Sequence, residues 1–121
     1  MQIQVPNHLG IIIDGNRRWA SAHGLPAWMG HRYGARTFDE FLNWCLELNI
    51  PQISVYALST ENLNRPKREL EELFKIYYEF LKKWEKKMSV LDKHEVRVRF
   101  VGDLSKLPPK LVKLMGKFMI R

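Results

Sequence analysis

Residues 14–19 read Asp-Gly-Asn-Arg-Arg-Trp and residues 59–65 read Ser-Thr-Glu-Asn-Leu-Asn-Arg. Each polar cluster directly follows an apolar run, residues 9–13 in the first case and 52–58 in the second. In the first cluster Gly15 can take backbone angles closed to other residues, so the chain can turn sharply there. A helix starting just beyond would offer free N–H groups and a positive dipole end to an anion. Arg17 and Arg18 add forked donors that match phosphate oxygens. Asp14 has the wrong charge for a phosphate but the right one for Mg²⁺, which usually takes one or two carboxylates together with phosphate oxygens and water. A carboxylate beside two arginines therefore suits a metal-bound diphosphate better than a bare phosphate. The plainer alternative is an Asp-Gly turn flanked by solvated arginines. The second cluster, with Ser59, Thr60, Glu61, Asn62 and Arg65, weighs against it.

Other chemistries find less support. Ser59 has no histidine and acid relay nearby in sequence, which argues against a serine nucleophile. There is no Cys/His spacing for zinc and no Walker-type phosphate loop. His31, in the basic stretch GHRYGAR just before an expected helix, is a candidate phosphate contact, although a single loop histidine is more often structural. His23 invites the same structural reading, and His8 and His94, flanking strands, receive no role.

The elements that must position these clusters follow from hydrophobic patterning. Residues 9–13 form a short unbroken apolar run, as in a strand covered on both faces. Residues 33–48 place Phe38, Phe41, Leu42, Cys45 and Leu48 at helical spacing, and 52–58 is a second strand rich in residues that favour sheets. From 67 to 91 one apolar stripe predicts a single long helix, its aromatics serving as core or as the wall of an apolar cavity. Residues 95–102 alternate apolar with basic side chains and predict a third strand ending at Gly102-Asp103. Pro108-Pro109 opens a last helix, in which Lys110, Lys113, Lys117 and Arg121 accompany Leu111, Leu114, Met115 and Phe118. Such a helix either packs on a sheet or lies on an anionic membrane.

Strands alternating with helices indicate an α/β fold with a parallel sheet and right-handed crossovers. In such sheets ligands bind beyond the carboxyl ends of the strands, and all three polar clusters follow such ends. Parallel pairing is expected to bring them to one edge.

A chain of 121 residues is about one domain. The net charge of +7 calls for an anionic partner: nucleic acid, lipid headgroups or phosphorylated small molecules. Nucleic acid is disfavoured, because the basic residues sit at loop starts and on one helix while the aromatics follow core spacing. No apolar stretch approaches the ~18 residues of a membrane span, and the first residues lack a secretory pattern. A single cysteine, Cys45, allows no internal disulfide and reads as a core thiol. The expected location is cytoplasmic.

The motifs HLGIIIDGNRRWA, Gly30-His31, YALSTENLNRP and VRVRFVGDLSKLP, in that order, resemble the cis-prenyltransferases, the undecaprenyl and polyprenyl diphosphate synthases. The resemblance implies a Rossmann-like parallel sheet with flanking helices and a homodimer. It also implies Mg²⁺-dependent condensation of isopentenyl diphosphate onto an allylic diphosphate of farnesyl or geranylgeranyl type; peripheral contact with the membrane is the expectation carried by the basic last helix. Asp14 matches the family's magnesium-linked aspartate. Gly15, Asn16, Arg17 and Arg18 match the loop around the allylic diphosphate, Trp19 the aromatic beside it, and His31 a histidine near the same phosphates. Ser59, Thr60 and Glu61 match a substrate-contacting segment, Asn62 the asparagine assigned to proton removal, and Arg65 a further substrate contact. Glu69 follows at the family's spacing.

Three departures stand out. Ala27 occupies a position where the family often has arginine, and Leu63 one where many members have tryptophan. The family's later SGE.R.S.F segment, which holds isopentenyl diphosphate, has no counterpart within residues 1–121. The sequence therefore reads as the N-terminal part of the catalytic domain, weakly active or inactive alone, and either a truncated product or one piece of a split enzyme completed by another polypeptide. The alternative is a non-catalytic partner subunit of a heteromeric enzyme, although a scaffold would have no use for Asp14, Asn16, Arg18, His31 and Asn62.

Overall fold

Strands β1 (His8–Ile12) and β2 (Gln52–Tyr56) pair in parallel, with His8 opposite Gln52 and Ile12 opposite Tyr56. Between them run α1 (Asn16–Ala22) and α2 (Ala27–Glu47), which complete a βαβ unit. A 3-10 turn at Glu61–Asn64 leads into α3 (Lys67–Glu85), followed by α4 (Met88–Lys93) and α5 (Pro109–Met119). The fold is α/β, as the patterning indicates. The computed structural model describes residues 4–120; Met1 and Arg121, the latter assigned by its sequence to the basic side of the last helix, lie outside the described residues. Two compact units divide the chain, one reaching to Leu70 and one starting at Glu71.

In the first unit the parallel pairing carries both strand ends to one edge, where Ile13 N–H reaches the Tyr56 carbonyl at 3.5 Å. The loops at 14–15 and 57–60 therefore leave the sheet side by side. Both strands alternate half-buried and exposed residues, and Ile12 and Tyr56 are 72% and 59% exposed. The expectation of cover on both faces is thus not met: among the described residues only one face of this two-stranded sheet is covered. A continuous apolar run is the pattern of a strand buried on both faces, but the run alone does not supply the cover.

Helix α2 starts at Ala27, six residues before the expected position 33. Pro26 caps it in extended geometry and lacks an N–H that would need a partner. Gly30 and Gly34 lower helix propensity, yet α2 runs through both. In the fold they seat α1: a methyl at Gly30 would strike the Asn16 carbonyl oxygen, and one at Gly34 the Asn16 side-chain amide. Spacing of four residues puts both glycines on one helix face. Cys45 is buried further along α2 as a free thiol, and its burial pushes the thiol pKa up.

The second unit departs from the sequence reading twice. The helix expected over 67–91 is broken between Glu85 and Met88, where Lys87 N–H closes on the Trp84 carbonyl three residues back instead of four. Lysines 82, 83, 86 and 87 gather there, and positive charge in a last turn complements the helix dipole. That cluster marks a helix end that the apolar stripe alone conceals. Residues 95–102 form no strand; the alternation survives, with Val96, Val98 and Phe100 half-buried and Arg97 and Arg99 exposed, but among the described residues no neighbouring strand pairs with them. Period-two burial does not supply a ladder partner, and a strand is defined by its ladder.

Asp103, expected at a strand end, instead accepts bonds from the Ser105 amide and hydroxyl and caps a short 3-10 turn. Helix α5 begins at Pro109, close to the expected start, and buries Leu111, Leu114, Met115 and Phe118. It is tied to α3 by Lys117 Nζ to Glu85 at 3.2 Å and by Lys110 Nζ lying 4.3 Å from the centre of the Tyr78 ring. No described helix is long and apolar enough to cross a membrane.

Candidate active site

Gly15 carries the sharp turn out of β1, with φ at +90°, in the left-handed region where glycine is unstrained. Its carbonyl accepts the first intrahelical bond of α1, from Trp19 N–H at 2.8 Å. Helix α1 therefore starts at Asn16, directly after the turn, and its first residues Asn16, Arg17 and Arg18 stand at the sheet edge. Asn16 is held against the α2 glycines, while Arg17 and Arg18 project outward.

Three of the sequence-predicted residues converge on one atom that the same reading left without a role. Glu69, in the first turn of α3, is 6% exposed. Its Oε1 faces Arg17 Nε at 3.0 Å, His31 Nε2 at 3.0 Å and Arg65 Nη1 at 3.6 Å. These groups come from α1, α2 and the end of the 59–65 segment, so the two strand-end loops meet on a shared carboxylate. His31 lies within α2 and is buried, whereas the sequence placed it in a loop before the helix. The signal for Glu69 was its place at the family's spacing after Arg65, which itself is extended and precedes α3. Burial of the carboxylate cannot be read from spacing.

Asp14 stands apart from this cluster. Its Oδ1 accepts Gly15 N–H at 2.7 Å and its Oδ2 faces Arg18 Nη2 at 3.2 Å, with both side chains largely exposed. The polar contacts of Asp14 thus lie with Gly15 of its own turn and with Arg18 in the first turn of α1, not with residues 59–65. Among the described residues no three His, Cys, Asp or Glu side chains gather as a cation cage. A single exposed carboxylate is a poor fit to a structural zinc, which needs a closed protein ligand set. It fits Mg²⁺, which keeps several waters and shares its ligands with substrate phosphates.

The second loop is internally braced. Ser59 N–H donates to Asn62 Oδ1 at 3.0 Å, and Asn62 N–H donates back to Ser59 Oγ at 3.2 Å. This reciprocal pair fixes the half-buried Asn62 amide, while Thr60 and Glu61 remain exposed at the start of the 3-10 turn. Trp19 lies between His23, stacked at 4.1 Å between ring centres, and Tyr33 at 4.8 Å. The Trp19 and Tyr33 rings remain more than one-third exposed, an aromatic surface beside the arginines. On the outer side of α1, Arg17, Arg18, Ser21, Leu25 and Ala27 line an open depression of about 360 Å³. Two guanidinium groups on an open polar and apolar surface can receive a phosphate-bearing ligand with a hydrocarbon tail.

Residues 12–121 match the sequence pattern of the undecaprenyl diphosphate synthase family. The chain is 47% identical over 114 residues to the tritrans,polycis-undecaprenyl-diphosphate synthase (geranylgeranyl-diphosphate specific) of Methanopyrus kandleri, covering 94% of this chain and 42% of that protein. It is 42% identical over 115 residues to the isoprenyl transferase of Aquifex pyrophilus, covering 95% of this chain and 48% of the relative. Among solved structures it resembles lavandulyl diphosphate synthase from Lavandula x intermedia in complex with dimethylallyl diphosphate. That likeness has a TM-score of 0.84 at 33% identity and covers 93% of this chain and 47% of the other. The chain spans about half the length of the curated relatives it matches.

Proposed function

Because the chain belongs to the undecaprenyl diphosphate synthase family, we propose that it forms the N-terminal part of a single cis-prenyltransferase domain and binds the allylic diphosphate. The reaction condenses isopentenyl diphosphate onto that allylic diphosphate and lengthens a polyprenyl chain. The observation that carries this reading is the meeting of Arg17, His31 and Arg65, from three separate elements, on Glu69 at the edge where both parallel strands end.

In this reaction the allylic C–O bond ionises, the isopentenyl double bond attacks the allylic carbon, and a proton leaves the new chain. The departing diphosphate gains charge as the bond breaks, so donors fixed beforehand around it lower the barrier. Arg17, Arg18 and Arg65, with the Gly15–Asn16 turn, take that role, and His31 lies near the same phosphates. Asp14 would hold Mg²⁺, which supplies further neutralisation of diphosphate charge when bound. Trp19 lies beside the allylic group, and the exposed Thr60 and Glu61 extend the substrate surface. The Ser59–Asn62 pair orients the Asn62 amide for the proton-removal step; an amide is a weak base, so the proton passes to water or diphosphate.

The isopentenyl diphosphate subsite is assigned to the part of the relatives' length that this chain does not match, carried in the same polypeptide or in a complementing one. The assembly is a dimer, at the cytoplasmic periphery of the membrane where a lipidic product would be handed on.

Calorimetric titration tests the binding half of this reading. The chain should bind farnesyl or geranylgeranyl diphosphate more tightly with Mg²⁺ than with EDTA, and Asp14→Ala should erase that difference. In an assembly completed by the remaining half of a relative, the same variant should lose Mg²⁺-dependent incorporation of labelled isopentenyl diphosphate. Binding unaffected by the metal, or full turnover in the variant, would remove the role given to Asp14.

A further inference from the structure

We propose that Glu69 is the positioning residue of the diphosphate site: its one carboxylate oxygen fixes the proton on His31 Nε2 and holds Arg17 and Arg65 together before any anion arrives. The proposal deepens the functional reading above and rests on it for the identity of the anion. It begins from His31 Nε2, which lies 3.0 Å from Glu69 Oε1 and 3.3 Å from Arg65 Nη1. A neutral imidazole nitrogen either donates or accepts, a guanidinium only donates, and an ionised carboxylate only accepts.

Two arrangements are therefore open to Nε2. In one it accepts from Arg65 and turns a lone pair toward the carboxylate; in the other it carries the proton and donates to Glu69. The first sets a lone pair against an anionic oxygen at 3.0 Å in a site where both side chains are 6% exposed. The second satisfies both buried groups. Glu69 thereby selects the Nε2–H form of His31 and leaves Nδ1 as the ring's acceptor.

The same oxygen receives Arg17 Nε at 3.0 Å. Nε is the stem-side nitrogen of the guanidinium, so this contact orients the group through the stem side and does not occupy its two terminal nitrogens. The Arg17 side chain is 52% exposed and that of Arg65 23%, against 6% for the glutamate that gathers them. A buried anchor with partly exposed cations around it is the arrangement expected of preorganisation. Without the anchor, two flexible cations and a histidine of undefined tautomer would have to be ordered by the ligand itself.

The alternative to positioning is plain electrostatics, and it has the opposite sign. A carboxylate near an anion site repels the anion, so neutralising it should strengthen binding if charge were its only influence. The test is calorimetric titration of the chain with inorganic pyrophosphate in the parent, Glu69→Gln and Glu69→Ala. The tautomer of His31 is read in parallel by long-range ¹H–¹⁵N correlation. Positioning predicts pyrophosphate affinity weakened about tenfold in Glu69→Ala, the scale seen when a supporting partner is lost, and weakened less in Glu69→Gln. The glutamine amide oxygen still accepts from Nε2–H, so that variant should keep the parent's tautomer, whereas the alanine variant should show a mixture.

Equal or tighter pyrophosphate binding in both variants overturns the proposal, as does a parent His31 protonated on Nδ1. Circular dichroism checks folding, and if the alanine variant does not fold, the glutamine variant decides the sign alone. A parent that binds no pyrophosphate removes the diphosphate reading, and the tautomer measurement then decides the role of Glu69 by itself.

Discussion

Asn16 is seated on Gly34: the side-chain amide of the first α1 residue occupies the space that a methyl group at position 34 of α2 would need. One turn earlier Gly30 receives the Asn16 backbone carbonyl in the same way, with the Ala20 methyl 3.0 Å from the position a Cβ would take. The start of the Arg17–Arg18 helix is therefore set by two missing side chains on its neighbour.

Alanine at Gly30 should cost about 1–3 kcal/mol of stability, because the clash is with backbone and cannot be relieved by a rotamer change. Alanine at Gly34 meets a side chain instead, so it should cost less stability and act mainly by displacing Asn16 and weakening diphosphate binding. Gly116, in α5 with open space around its Cβ position, provides the contrast: Gly116→Ala should stabilise by up to about 1 kcal/mol through helix propensity. Thermal or urea unfolding of the three variants checks the order, and equal effects would show that the glycines of α2 are not seats.

Ala27 lines the depression that also holds Arg17 and Arg18. Ala27→Arg should tighten pyrophosphate binding and steepen its dependence on salt, since a third guanidinium would join the same anion surface. Calorimetry at two ionic strengths reads both effects. Unchanged affinity would mean that this surface is not the phosphate approach.

Lys82 and Lys117 each place Nζ 3.2 Å from Glu85, one on either carboxylate oxygen. These bonds, that from Lys82 foremost, hold the Glu85 carboxyl below the usual carboxylate range. A carboxyl lowered in the folded state contributes stability that is fully present above its unfolded value of about 4.3 and is lost as pH falls through the lowered folded value. The parent should therefore exceed Glu85→Gln in melting temperature near neutrality and approach it on acidification. A gap that stays constant with pH would dismiss the Lys117 link between α3 and α5.

Cys45 is 3% exposed, and burial raises its thiol pKa. Both factors suppress the reactive thiolate. A maleimide should label the folded chain slowly and reach one equivalent quickly in denaturant, read by intact mass. Rapid labelling of the folded chain would contradict the packing of α2.

The residues alone determined the two parallel strands, the polar loops after them, the last helix and the family, because these depend on local pattern and chain order. The placing of Asp14, Arg17, Arg18 and the 59–65 segment just beyond the strand ends was legible for the same reason, since each directly follows an apolar run. The family's spacing also drew attention to Glu69, with no role attached. Only the tertiary structure decided that Glu69 is buried, that His31 lies inside α2 and not in a loop, and that Arg17 arrives at the same oxygen from another helix. It also decided against a ladder at 95–102 and against one unbroken helix over 67–91. Pairing, burial and convergence depend on what a distant segment brings to a position, and a pattern along one segment holds no record of its neighbours in space.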